Sequence, residues 1–599
     1  MAAHKGPSSR GLALLPVLLL AVMAYHRRWM SDDAFILVRI VRNVLSGHGP
    51  VFNIMERVEA YTSPLWLGVL SASAALRLPL EYSAVFLGLV CTLAGLFLGQ
   101  RAAVYLFRNF ESPRVIHLPL GALVFASIPV VWDFATSGLE TGLIFFWLAC
   151  CFWLLAHVRD RVSSEQFSYS EWIVPAIVIG LGPLVRPDLG IFTVVLLAVL
   201  LVHNFKLTHR WVNVFVITAV ALLLPILYQV FRMGYFSVLV PNTALAKEAG
   251  LSNWTQGWHY LRDFMAAYFL WVPLLVLCAW NLWLLRTKQD LGWLIVIGFY
   301  AASFLHILFV VRVGGDFMHG RLLLPGTFGL LLPMSSVPIA IKQPRWSWAW
   351  SLAGLVVAWS FVCAFFFRVS YGNQVGPHGI ADERGFYCRV AKTPNPIRVS
   401  DFRRSSFANQ GEALRNVLQY LDRHNSPEDP LSRGGVFIDF DDGHRPLRPS
   451  DQRLLPKSGR VPESVKLVAS RLAIGIQSCM VGSSVHIVDR HGLSDPIASR
   501  LRLSVRGRPG HEKDLQNAWL IARFADLDAA PDWPPDVLAA HQVLENPTIV
   551  SLLDGIQGPL GFSHFFRNIG ASWTLRRLRI DSDPIQALRE LNGPSTRTR

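Results

Sequence analysis

The chain reads as a polytopic α-helical membrane protein with a C-terminal extracytoplasmic mixed α/β domain, and three observations predict the architecture. Of its 599 residues 52% are hydrophobic and only 16% charged, and mean hydropathy is +0.37, a balance foreign to soluble enzymes. Apolar runs of near-spanning length recur up to about residue 368 and then stop. Between them, short basic loops alternate with longer loops rich in acids, amides and aromatics. The net charge of +15 therefore reads as a topology signal, and no nucleic-acid partner is expected.

Taken in order, the N-terminal run MAAHKGPSSRGLALLPVLLLAVMAYHRRW has no small-x-small cleavage site between its apolar stretch and Asp32. It reads as an uncleaved first helix rather than a signal peptide. Apolar runs near 82–106, 115–132, 140–158, 172–185, 189–204, 211–231, 264–284, 291–311, 321–341 and 347–367 bring the expectation to about eleven spans. Five short basic loops (107–114, 157–164, 203–210, 285–290 and 341–346) belong in the cytoplasm by the positive-inside rule. The run SPLWLGVLSASAALRL (63–78) lacks such a loop, and an interfacial or re-entrant reading keeps all five inside. An odd span count then makes 1–368 the transmembrane domain and puts 369–599 outside as a separate domain. There GEALRNVLQYLDRH has helical periodicity, and GGVFIDF and SSVHIVD read as buried strands. No internal repeat is visible, which argues against a secondary transporter.

Asp32 and Asp33 follow the first helix directly, where a carboxylate desolvated in lipid would be costly. The residues after them, with Arg39 and Arg42 set against Phe35, Ile36, Val38, Ile40 and Val41, read as an amphipathic helix on the membrane surface. It would hold both acids ionised near cations. The other noncytoplasmic loops add Glu56, Glu59 and Tyr61; Asp133, Glu140 and Thr141; Arg186 and Asp188; Asn242, Thr243 and Lys247; and Arg312, Asp316, His319 and Arg321. Ion pairs locking helix ends explain any one of these groups, but five loops converging on one leaflet point to a polar substrate.

The runs DDAFILVRIVRN, ERVEAYTSPLW, ATSGLETG, RPDLG, PNTALAK and GGDFMHGRLLLP resemble the GT-C superfamily of multispanning glycosyltransferases, which use polyprenyl-linked sugar donors. VDRHGLSDPIASRL and RPGHEK resemble the terminal β-(1→2) arabinofuranosyltransferases of mycobacterial and corynebacterial cell walls. The resemblance implies decaprenyl-phosphoryl arabinofuranose as donor and a nonreducing arabinan end, in arabinogalactan or lipoarabinomannan, as acceptor. It implies a plasma-membrane enzyme working on the periplasmic side. Asp32 or Asp33 suits proton removal from the acceptor hydroxyl. Arg186, Lys247, Arg321 and His319 suit the departing phosphate. Glu59, Tyr61, Glu140, Asn242, Asp316, Asp495, His511 and Glu512 are expected on the sugar or acceptor side. A β donor and a β product imply net retention, either through a covalent intermediate on one acid or by attack from the leaving-group face.

No Cys/His spacing suits zinc, and no cofactor is assigned with certainty. Asp32, Asp33, Glu140 and Asp316 are hard ligands that could hold Mg²⁺, Mn²⁺ or Ca²⁺. No Gly-rich nucleotide loop is evident, so nucleotide sugars are not expected. Asp489, His491, Gly492, Asp495 and Pro496, followed by His511, Glu512 and Lys513, form a second polar constellation, which turn and capping roles would also explain. Five of the seven cysteines fall in apolar runs; Cys388 and Cys479 lie in the outer domain and are expected to form a disulfide. A lipid-linked-sugar flippase is the alternative from another functional class, as is a structural assembly protein.

Overall fold

A computed structural model describes residues 8–592 apart from 108–114, 163–169, 287–291, 341–346, 424–425, 427, 443–444 and 530–531. Four of the five basic loops lie wholly or partly outside the described residues. Uninterrupted apolar sequence forms the long helices. Leu80–Leu106, Thr141–Arg159, Pro187–Lys206, Trp211–Phe236, Gly292–Val313 and Trp348–Phe365 are long and apolar enough to cross a bilayer. The pair Trp254–Ala267 and Trp271–Leu284, bent by 87°, makes a seventh span if taken as one. The chain is a polytopic membrane protein.

Eleven helices of that length are not found among the described residues, and proline placement accounts for two of the differences. The run near 115–132 becomes strand β1 (Val115–Leu118) and two short helices, Leu120–Ser127 and Pro129–Ala135, with Pro119 and Pro129 at their starts. Proline suits the first turn of a helix and breaks an interior. The run near 321–341 becomes a single turn, the helix Leu324–Leu331 and strand β2 (Val337–Ala340), with Pro325, Pro333 and Pro338 along it. β1 and β2 pair antiparallel, Val115 opposite Ala340. Gly11–His26 and Glu171–Val185 are apolar but shorter, and the 63–78 run forms the short helix Pro64–Ala75.

Beyond residue 368, β3 (Gly435–Ile438), β4 (Arg453–Pro456), β5 (Leu467–Arg471) and β6 (Val485–Asp489) build one sheet in the order β4-β3-β5-β6, parallel except for the β4 edge. β3 and β6 are the two apolar runs read as strands, and every residue of β3, β5 and β6 is buried. Such continuous burial is typical of parallel strands covered on both faces. Alternation along the strands decides which core each residue joins. Phe437, Leu467, Ala469, Val485 and Ile487 belong to the core that continues into the membrane helices. Val436, Ile438, Val468 and Val488 face a second core built with Trp519, Leu552 and Ile580. Apolar packing therefore runs without interruption past residue 368.

Candidate active site

The acid pair opens a helix, Asp32–Leu45, whose N-cap Ser31 accepts a hydrogen bond from the Ala34 N–H. Acids in a first turn suit the helix dipole. The helix is not a surface helix: Asp32, Ala34–Val41 and Asn43 are buried. Arg39, expected on its polar face, is buried and donates to the carbonyls of Phe52 (2.7 Å), Gly482 (3.0 Å) and Val485 (2.7 Å). Arg42 remains outside, paired with Glu81 at 3.0 Å. The helix is buried because the C-terminal segment lies over it.

That cover separates the two acids. The carboxylate of Asp32 accepts the N–H of Gly475 at 3.0 Å on Oδ2 and that of Ile476 at 2.7 Å on Oδ1. Both donors open the helix Gly475–Val481. A Cβ on residue 475 would stand 1.9 Å from the Asp32 carbonyl oxygen, so the contact requires glycine. Burial pushes the Asp32 carboxyl up to about 6, against these two hydrogen bonds. Asp33, about 100° further round the helix, lines a cavity of about 580 Å³.

Tyr61, Glu140, Arg186, Lys247, Asp316, Arg321 and Glu512 line the same cavity, together with an apolar wall that includes Ile36, Leu37, Ile191 and Phe309. Three cations thus face an apolar chamber, each tied to acids. Arg186 grips Asp188 through Nε and Nη2, both at 2.6 Å, and its Nη1 lies 3.7 Å from Glu140. Arg321 places Nε 3.2 Å from Asp316 and Nη1 3.7 Å from Asp33. Lys247 lies 3.8 Å from Asp316. Burial alone would raise Asp316, but Arg321 and Lys247 hold it below the usual carboxylate range. The balance goes the other way for Asp33, which burial lifts despite the same two cations. Burial likewise pushes Glu512 up to about 7. Arg186 Nη1 and Arg321 Nε are buried and make no hydrogen bond. Buried N–H donors are rarely left so, and an anionic ligand would satisfy both.

A smaller cavity of about 110 Å³ shares Asp33 and Lys247 with the first and is lined also by Asp32, Glu383, Tyr387, His491, Arg508 and His511. Burial pushes His511 down to about 3, so its ring is neutral. Glu383 was not singled out from the sequence. It opens the helix Glu383–Ala391 behind the N-cap Asp382. Its buried carboxyl makes no ion pair or hydrogen bond among the described residues. Burial, with Asp33 and Asp316 nearby, lifts it well above the usual range. The available signal was an acid in a capped first turn soon after the last span.

Several expected site residues act elsewhere. Glu59 lines neither cavity; it pairs with Arg232 at 2.6 Å and accepts at 2.6 Å from Tyr228, whose hydroxyl also bonds the cavity-lining Tyr61 at 3.0 Å. Asn242 donates to the Gly492 carbonyl at 2.7 Å and accepts from Ser499 at 2.9 Å, tying its loop to the C-terminal segment. Asp495 caps Ile497 and Ala498 and pairs at 2.8 Å with Arg523, which also pairs with Glu56. His319 bonds Asp263 at 2.5 Å and Tyr268 at 3.0 Å, and lines a different cavity of about 190 Å³. Asp489 accepts from the N–H groups of His491 and Ser494, and Lys513 bonds Glu248 at 2.5 Å. A short polar side chain beside a free backbone group satisfies it locally, as Asp489 and Asp495 do.

Residues 456–590, which include the Gly475–Val481 helix, His511 and Glu512, match the AftB family C-terminal domain. The terminal beta-(1->2)-arabinofuranosyltransferase of Mycobacterium tuberculosis is 31% identical over 610 residues, 94% of each chain. That of Corynebacterium glutamicum is 31% identical over 640 residues, 99% of this chain and 90% of the relative. The chain belongs to this arabinofuranosyltransferase family. No solved structure matches it.

Two expectations about this family member need correction or refinement. Cys388 and Cys479 are free: the thiol of one donates to the Pro394 carbonyl (3.3 Å) and that of the other to the Phe35 carbonyl (3.4 Å). Cys479 is turned toward the acid helix, so the pair does not form a bridge. The four carboxylates considered for a divalent cation are a poor donor set. Asp32 spends both oxygens on backbone N–H groups, while Glu140 and Asp316 face guanidinium groups. Among the described residues no three His, Cys, Asp or Glu side chains are grouped to hold a metal.

Proposed function

We propose that the chain transfers an arabinofuranosyl residue from decaprenyl-phosphoryl arabinofuranose to the nonreducing end of cell-wall arabinan, forming terminal β-(1→2) linkages. We place the enzyme in the plasma membrane with its site on the periplasmic side. The carrying observation is the main cavity, where an apolar wall meets buried guanidinium N–H groups that make no hydrogen bond, with Asp33 beside them. An isoprenoid phosphodiester combines the apolar tail and the anion that such a chamber fits. Family membership supplies the sugar and the linkage, and the basic loops support the sidedness.

In this reading Arg321, Arg186 and Lys247 hold the phosphate. As the bond from the anomeric carbon to the phosphate oxygen breaks, its electron pair leaves on the phosphate, where these cations stabilise it. The acceptor 2-hydroxyl, presented from the smaller cavity, forms the new bond and gives its proton to Asp33. Glu383, kept neutral by burial, donates a hydrogen bond to the acceptor. Asp33 lies 3.7 Å from Arg321, on the side where the phosphate leaves, which supports same-face attack and net retention. Purified protein incubated with synthetic donor and an arabinan oligosaccharide should give a mass increment of one pentose. Donor movement across liposomes without that increment would favour the flippase and refute this reading.

A further inference from the structure

The helix Phe562–Leu575 has two unlike faces. Asn568, Ser572 and Leu575 are buried, whereas Phe562 is 83% exposed, Phe566 53% and Trp573 56%. At about 100° per residue the three exposed rings fall within about 40° of one another. They form one aromatic stripe turned away from the buried face, with exposed Arg567, Arg576, Arg577 and Arg579 around it. The core gives no reason for such a stripe, and a clustered apolar patch marks an interaction surface.

Its neighbour identifies the partner. The helix packs on the end of the span Trp211–Phe236. The Phe565 ring fills the space beside Gly234, where a Cβ would meet it at 2.3 Å, and Asn568 donates to the Gly234 carbonyl at 2.8 Å. Arg57 adds a brace, donating to the carbonyls of Tyr235 (3.1 Å) and Gly558 (2.6 Å). The span has 26 residues, or about 39 Å at 1.5 Å each, against a hydrocarbon core of roughly 30 Å. Its last turns therefore reach the headgroup layer, where the half-buried rings of Phe231 and Tyr235 stack on each other. Phe562–Leu575 is fastened at that level.

We infer that Phe562–Leu575 lies on the membrane as an interfacial helix, with Phe562, Phe566 and Trp573 at the headgroup–acyl boundary and the arginines on lipid phosphates. Aromatic rings on one face and arginines beside them are what a bilayer surface binds. A second copy is a poorer occupant, because a two-fold contact would bring the same arginines against each other. The contact seats the outer segment beside the loop after this span, where Thr243 and Lys247 line the main cavity.

The test uses the full chain in nanodiscs of phosphatidylcholine and phosphatidylglycerol. A bimane fluorophore is placed on Phe566→Cys, on Trp573→Cys or on Thr574→Cys, which is exposed about 100° away on the same helix. Labelling of the unsubstituted chain is subtracted. Nitroxide at the upper acyl chain should quench positions 566 and 573 at least threefold more than 574, and aqueous iodide should show the reverse order. Iodide quenching at 566 and 573 as strong as at 574 would overturn the inference. So would shielding from both quenchers together with a dimer mass, which would assign the stripe to a second copy.

Discussion

Replacing each acid of the pair separately should damage different properties. Asp33 lines both cavities and makes no hydrogen bond among the described residues; its nearest cation is 3.7 Å away and its side chain is 26% exposed. Asp33→Asn should therefore cost less than about 1 kcal/mol of stability. It removes the proton acceptor, and loss of a general base lowers turnover by a factor on the order of 10² to 10⁴. That is about 3–5 kcal/mol of barrier. Asp32→Asn does the opposite. One oxygen that accepts a backbone N–H becomes an NH₂ facing it, so one charge-assisted bond worth about 1.5–3 kcal/mol is lost. A buried N–H is also left facing another donor, which adds roughly 1–3 kcal/mol. Pentose transfer is followed by mass spectrometry and thermal unfolding by the fluorescence of the 20 tryptophans. Asp33→Asn should lose turnover at unchanged Tm, and Asp32→Asn should lose Tm. An Asp33→Asn enzyme within threefold of the parent, or one whose Tm falls as far as that of Asp32→Asn, refutes the reasoning.

Arg321→Met should weaken donor binding roughly 10- to 100-fold, the loss of about 1.4–2.8 kcal/mol of charge-assisted bonding. Lys247→Met, at a 30% exposed side chain, should weaken it less; titration with donor and acceptor separately checks both, and equal loss of the two substrates would indicate misfolding instead. Stability should depend on pH through Asp32 (about 6), Asp489 (about 7) and Glu512 (about 7), whose folded values lie above the roughly 4 of an unfolded carboxyl. The fold favours their protonated forms, so their contribution is fully present below about pH 4 and is lost as pH rises through about 6–7. Asp316, held low, has the opposite sign and matters only as pH falls below about 4. Tm should fall between about pH 5 and 7.5, and Glu512→Gln should flatten the upper part of that slope; a level or rising profile counts against it. Non-reducing peptide mapping should give Cys388 and Cys479 as separate alkylated peptides, and a linked pair would contradict the structure.

The strands β3 and β6 were legible because four or five consecutive buried residues leave a clear mark between turn residues. The membrane class was legible from composition alone. The span count was not, because hydropathy averages over prolines that stop a helix within a few residues. Asp33, Arg186, Lys247 and Arg321, which line one cavity, were singled out because polar groups in the loops of a membrane protein need a reason. What the sequence could not supply was which of them have partners. Asn242 and Ser499 stand 257 residues apart, as do few pairs that local spacing could connect. Asp32 and Ile476, separated by 444, are a similar case. Glu383 escaped notice because an acid in the sequence ADERG reads as a capping residue until its buried carboxyl is seen.

The C-terminal segment is therefore fastened to the membrane segment by polar contacts as well as by the shared core. Asp32 accepts from Gly475 and Ile476, and Arg39 from the same helix donates to the carbonyls of Gly482 and Val485. The first loop adds Asn53, whose amide donates to the Ile487 carbonyl at 2.9 Å, and Glu56, which pairs with Arg523. Each of these is a polar group that would be costly to bury alone. The membrane segment supplies the charge and the C-terminal segment supplies its partners, so neither half presents a satisfied surface without the other. One consequence is orientation. The acid helix is held at both Asp32 and Arg39, seven residues or about two turns apart, which fixes its rotation as well as its position. Asp33 is turned toward Arg321 because its neighbour Asp32 is held fast by Gly475. The adjacency of two acids in the sequence thus follows from a division of labour in which one acid positions the other.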